Sequence, residues 1–181
     1  MLFGGIETTE GMISNLVVHV HVLGDADQLS RVLADRGLIP GAIEVSLRRE
    51  PAAAVVDRFA TADVRLGAAQ IRSGDLVRVS LAGANRDPAF FADPDRFDIR
   101  RANARQNLGF ALGPHFCVGA QLARLEAEAA IAALLDQLPG LRLDSDRLAA
   151  PRGLVFRKPA AVHVRWDARP GPDPGPVGPG G

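Results

Sequence analysis

Several kinds of protein depend on residues that this chain almost lacks. Its 181 residues include one cysteine, which excludes an internal disulfide framework and fits a reducing compartment. It has one lysine, Lys158. Its 21 basic residues balance 21 acidic ones, and a formal net charge of zero does not suggest a nucleic-acid partner. No apolar run approaches the length of a membrane span, and no signal peptide is expected ahead of the first motif. The expectation is a soluble, cytoplasmic protein with no nucleic-acid or membrane partner. What the chain does have is apolar material, 47% of its residues, enough for one ordinary domain with a sizeable core. Residues 1–168 are expected to form that domain. From Arg169 onward a Pro/Gly-rich tail, residues 169–181, has the composition of disorder.

The one cysteine lies in the stretch Phe110-Ala111-Leu112-Gly113-Pro114-His115-Phe116-Cys117-Val118-Gly119. Gly113 and Pro114 cannot sit in regular helix. After Cys117, residues 118–138 place Val118, Leu122, Leu125, Ala129, Ala132 and Leu135 at three- and four-residue steps, the stripe of an amphipathic helix. Cys117 is therefore expected at a loop-to-helix junction, where unpaired backbone N–H groups and the helix dipole stabilise a thiolate. One sulfur cannot build a zinc or iron–sulfur cage. It suffices for a metal already held by a macrocycle, which makes haem the economical ligand. The competing reading is a buried free cysteine acting as a small hydrophobe.

The same ten residues resemble the cysteine-ligand loop of cytochromes P450, F-G-x-G-x-H-x-C-x-G. Phe110, Gly113, His115, Cys117 and Gly119 match it, and Ala111 alone departs. The resemblance implies haem b with Cys117 as axial thiolate. The residue types suit that role. Glycines let the backbone pass close under a flat ring, Phe110 can pack on the porphyrin near the sulfur, and His115 can reach a propionate.

Residues 1–23 keep helical spacing at Met12, Ile13, Leu16, Val17, Val20 and Leu23, with Gly4-Gly5 where a kink or close approach is expected. Gly4-Gly5-Ile6-Glu7-Thr8-Thr9 resembles the oxygen-activating part of the central P450 helix, A-G-x-D/E-T-T. The resemblance makes Glu7 and Thr8 the acid–alcohol pair that relays protons to the reaction. The alternative for this triplet is a polar helix turn facing solvent.

Further along, Asp25 or Asp27 can cap a short helix over residues 27–36, with Gly37 as its C-cap. Ile39-Pro40 opens another helix running to about Glu50. This segment resembles the P450 helix carrying E-x-x-R, but reads Val45-Ser46-Leu47-Arg48: the arginine is present and valine stands at the glutamate position. Glu44 can face Arg48 at i,i+4. Residues 55–60, 64–66 and 76–81 read as strands, and Arg58 occupies a position that commonly meets a haem propionate in the family. Residues 83–106 are loop-rich and resemble the P450 meander, with Pro94-Asp95-Arg96-Phe97 matching P-x-R-F. That match would bring Arg96 to Arg48. Arg100, Arg101 and Arg105 could form a basic patch suited to an acidic electron donor, or simply a solvated turn. Leu154-Val155-Phe156 and Val162–Trp166 read as a terminal hairpin. His19 and His21 have no partners at ligand spacing, so no second metal is read.

The fold class expected is mainly α with small β elements, the C-terminal part of the P450 fold and roughly half of its usual length. The function implied is that of a haem-thiolate monooxygenase. It would insert one atom of O₂ into a small organic substrate, with electrons from a ferredoxin-type donor. A different class of reading is a truncated P450-derived chain that is inactive, or that binds haem only with a partner chain. A third, a globular adaptor with a structural cysteine, explains none of the motif spacing.

Overall fold

In a computed structural model, residues 2–22 and 26–168 are described, with side chains for 4–21 and 28–168. The tail from residue 169 and the proposed caps Asp25 and Asp27 lie outside the described residues or side chains. Among the described residues the α-helices are α1 (Leu2–Val22), α2 (Ala26–Ala34), α3 (Ile39–Arg49), the short α4 (Leu81–Ala84) and α5 (Ala120–Gln137). The strands are β1 (Val55–Phe59), β2 (Val64–Leu66), β3 (Ala69–Ile71), β4 (Leu76–Ser80), β5 (Arg142–Leu143) and β6 (Val164–Arg165). They make three separate two-stranded antiparallel sheets, β1–β4, β2–β3 and β5–β6. The mainly helical expectation holds.

The core lies where α1, α3 and α5 meet. Leu16 and Val20 of α1, Ile39, Ile43 and Val45 of α3, and Ala127 and Ile131 of α5 are buried there. Each fully buried leucine or isoleucine of this kind contributes about 1.5–3 kcal/mol relative to exposure. Pro40 sits in the first turn of α3, where its missing N–H costs nothing. Pro51 follows the helix end at Glu50, as proline's exclusion from helix interiors requires. On α3, a Cβ at Gly41 would come within 2.5 Å of the Ile99 carbonyl oxygen, so only glycine lets the helix lie this close to that loop.

Four local expectations are corrected. Gly37 does not cap α2; it belongs to a 3₁₀ turn, Arg36–Leu38, whose first free N–H is taken by the Asp35 side chain (2.9 Å to Gly37 N). The Gly4-Gly5 pair does not kink α1, which runs unbroken, and a Cβ at either glycine would meet nothing within 4 Å. The terminal hairpin does not form as read: Val164–Arg165 pairs with Arg142–Leu143, while Phe156 bridges back to Ala53. Finally, the apolar periodicity of α5 gives the helix but not its inward face. Ala127 and Ile131 are buried, whereas Leu122, Leu125 and Val118 are exposed, Val118 at 92%. The helix is apolar on more than one side, so a stripe alone could not choose.

Candidate functional site

A cavity of about 270 Å³ opens between the first turns of α1, the Cys117 loop, the start of α5 and β1. Its lining includes Thr8 and Thr9 from α1, Arg58 from β1, Phe110, His115 and Cys117 from the loop, and Gly119 at the cap of α5. Residues far apart in the sequence, from 8–9, 58 and 110–119, are thus brought to one hollow. Cys117 is exposed, which removes the reading of it as a buried hydrophobe.

The loop owes its shape to backbone bonds. The Cys117 N–H donates to the Phe110 carbonyl at 3.0 Å, the Phe116 N–H to the Gly113 carbonyl at 2.9 Å, and the Ala120 N–H to the Cys117 carbonyl at 3.2 Å. Cys117 therefore lies two residues before the Gly119 cap, at the loop-to-helix junction. Two residues of the turn are left-handed: Gly113 at φ +76° and Ala111 at φ +59°. Gly113 adopts that conformation without cost. Ala111 does not, because its Cβ crowds the carbonyl that follows.

Arg58 and His115 both reach the cavity wall, and the Arg58 guanidinium donates to the carbonyl of its neighbour Asp57 at 2.8 Å. Thr8 also lines the cavity, its Oγ1 donating to the Gly4 carbonyl at 2.6 Å. Glu7 does not line it. Its carboxylate lies 3.2 Å from Lys158 Nζ, which also meets Glu10 at 2.8 Å. The expected acid–alcohol pair is adjacent in sequence but faces two different neighbourhoods.

Beneath the cavity, α3 supplies two charged residues that do not meet. Glu44 is buried and paired with Arg124 of α5 (Oε1 to Nε 2.6 Å), and Asn107 Nδ2 donates to its other oxygen at 2.9 Å. Glu44 is therefore not the partner of Arg48 that i,i+4 spacing allowed. Arg48, fully buried, donates instead to backbone carbonyls, Asn85 at 2.9 Å and Pro94 at 2.6 Å. Its Nε has no partner among the described residues. Burial, then the nearby Arg101, Arg49 and Arg86, pull its pKa down to about 10. Arg96 meets Arg48 only through its carbonyl, its own guanidinium being turned outward toward Asp98. The basic patch also divides: Arg101 spends its guanidinium on the carbonyls of Ala92 and Asp93, leaving Arg100 and Arg105 exposed.

Sequence reasoning missed Asn107, Arg124 and Lys158. A signal existed for Arg124: it is a charge among alanines and leucines, two helical turns past Cys117.

The fold, the cysteine loop and the motif order point one way, and the comparisons agree. The cytochrome P450 family model matches residues 21–141. This chain belongs to the cytochrome P450 family. It is 47% identical over 158 residues to cytochrome P450 107B1 of Saccharopolyspora erythraea, covering 87% of this chain and 37% of that P450. It is 43% identical over 173 residues to the cytochrome P450 monooxygenase PikC of Streptomyces venezuelae, covering 92% of this chain and 40% of PikC. Among solved P450 structures, cytochrome P450 CREJ superposes with a TM-score of 0.85 at 37% identity, over 92% of this chain and 41% of CREJ. P450BioI, solved with an acyl carrier protein bearing hexadec-9Z-enoic acid, gives 0.83 at 38% identity, over 91% and 42%. The chain thus spans about two fifths of the P450s it matches. Among the described residues no helix is long and apolar enough to cross a membrane.

Proposed function

We propose that the cavity at Cys117 takes haem b and that this chain carries the thiolate side of a P450 monooxygenase. The observation that carries the reading is the convergence, in one hollow, of an exposed thiol with Arg58, His115 and apolar wall residues such as Phe110. That donor set fits a flat apolar macrocycle with acidic edges. Cys117 would supply the one sulfur ligand the metal needs, and Arg58 and His115 would pair with the group's acidic edges. Phe110 offers its ring to the macrocycle, and Gly113 and Gly119 keep the loop's backbone thin beside it. When bound, a thiolate-ligated haem activates O₂ for transfer of one oxygen atom to a small organic substrate, with electrons from a ferredoxin-type donor. Thr8, on the cavity wall, holds a proton at Oγ1 that it now donates to the Gly4 carbonyl. Glu7 is positioned to exchange protons with Thr8's side of the helix only after leaving Lys158.

A second reading has its own support. The chain spans only about two fifths of its relatives, and valine occupies the position of the E-x-x-R glutamate. On that reading it binds haem only with further polypeptide, or is inactive. Haem reconstitution followed by the ferrous–CO spectrum separates the two. A thiolate-type Soret band that disappears in Cys117→Ser supports the first reading. Failure to take up haem, or a spectrum indifferent to Cys117→Ser, removes it.

A further inference from the structure

Arg124 forms the middle of a chain of contacts running from the core to the cysteine loop. Its Nε donates to the buried Glu44 carboxylate at 2.6 Å, and its Nη2 lies 3.4 Å from the other oxygen. The same guanidinium lies over the Phe110 ring, 4.5 Å from the centroid. Phe110 in turn lines the cavity and accepts the Cys117 N–H through its carbonyl. Asn107 closes the arrangement from the other side: Nδ2 donates to Glu44, and Oδ1 accepts the N–H of Gly109, next to Phe110. Two of the three helices that make the core, α3 and α5, are thus joined at the guanidinium that covers this ring on the cavity wall.

We propose that Arg124, clamped by Glu44, is a positioning residue for the Cys117 loop: it fixes the Phe110 ring and through it the backbone that presents the sulfur. Three features require arginine here. A guanidinium is flat, so it can stack on the ring while its edge donates to a carboxylate. An ammonium would satisfy Glu44 without covering Phe110. The buried carboxylate, held by Asn107 Nδ2 besides, leaves the guanidinium little freedom to swing away. Glu44 therefore has a task unrelated to Arg48, and the missing glutamate at position 45 leaves this device intact.

The test needs no haem. Amide hydrogen exchange on the ¹⁵N-labelled chain reads the Cys117 N–H, whose acceptor is Phe110. Arg124→Ala is expected to speed exchange at Cys117 and Gly109 about tenfold while amides in the centre of α1 stay unchanged. Arg124→Lys should fail to restore protection, because charge alone does not hold the ring. In a Phe110→Leu background Arg124→Ala should add nothing, since the two act in series. Unchanged exchange at Cys117, equal acceleration through the whole core, or full rescue by lysine would each overturn the proposal. Where the chain also takes up haem, Arg124→Ala should shift the ferrous–CO band away from the thiolate position. A band held at that position would likewise overturn it. Because the exchange experiment uses the haem-free chain, its outcome is independent of whether haem binds.

Discussion

Val45 and Arg48 lie one helical turn apart on α3, both fully buried, and the Nε of Arg48 has no hydrogen-bond partner among the described residues. The carbonyls of Asn85 and Pro94 satisfy the ends of the guanidinium, so only its Nε edge is unmet. Val45→Glu should therefore stabilise the chain by about 1–3 kcal/mol, the range for satisfying one buried polar group. Glu44→Ala should destabilise it in either background, because Glu44 serves Arg124. Urea midpoints of the four forms decide this. A midpoint that falls on Val45→Glu would mean that the larger side chain finds no room there.

Ala111 supplies a second test of a departure from the family loop. It holds φ at +59°, a conformation that costs an ordinary residue about 1–2 kcal/mol. Ala111→Gly should gain about 1 kcal/mol net, the gain being reduced by glycine's greater freedom when unfolded. An unchanged or lowered denaturation midpoint would show that the turn relaxes around alanine.

His19 makes stability depend on pH. It is buried against Phe97 and bonded to Ser46 Oγ at 2.9 Å. Burial first, then Arg49 and Arg86, lower its pKa from 6.5 to about 3. Between those values the unfolded chain binds a proton that the folded one refuses. The contribution is whole above pH 6.5 and is lost as pH falls toward 3, at about 1.4 kcal/mol per pH unit. From pH 6.5 to 5 the loss should be about 2 kcal/mol. His19→Gln should flatten that segment of the stability curve. An equally steep slope in the variant would assign it to other groups.

Lys158 ties the C-terminal segment to α1 through Glu7 and Glu10, both partly exposed. Exposed pairs contribute little, so Lys158→Met should change stability by less than about 1 kcal/mol. The difference should vanish in about 1 M salt, where such pairs are screened. A larger loss, or one insensitive to salt, would point to packing of the lysine stem against Gly11 rather than charge.

The parts of this molecule that the sequence made legible are those where a local pattern has one solution. Cys117, with Gly113 and Pro114 before it and an apolar helix after it, had to sit at a junction. Pro40 and Pro51 bounded α3 closely. Other features depended on contacts between distant segments. Val164–Arg165 found Arg142–Leu143 rather than the nearer Leu154–Phe156, a choice that no short-range periodicity encodes. The outward turn of Leu122 and Leu125 was equally hidden, because α5 is apolar on several sides. In the site, the loop residues were readable by type and order. The pairing of Glu44 with Arg124, and of Glu7 with Lys158, joins positions 80 and 151 residues apart.

The scarcity of lysine and cysteine leaves the chain with two unique side-chain addresses. A thiol reagent can label Cys117 alone, and its exposure makes that reaction direct. An amine reagent has one side-chain target, Lys158. The bond to Glu10 raises the pKa of that ammonium, with Glu7 adding to the effect, so coupling there calls for alkaline solution, where the α-amino group has long since reacted. With the α-amino group blocked beforehand, dyes placed at the two addresses would report by energy transfer on the separation between the thiol loop and the first turns of α1. Such a pair measures the span across the cavity mouth without a single substitution.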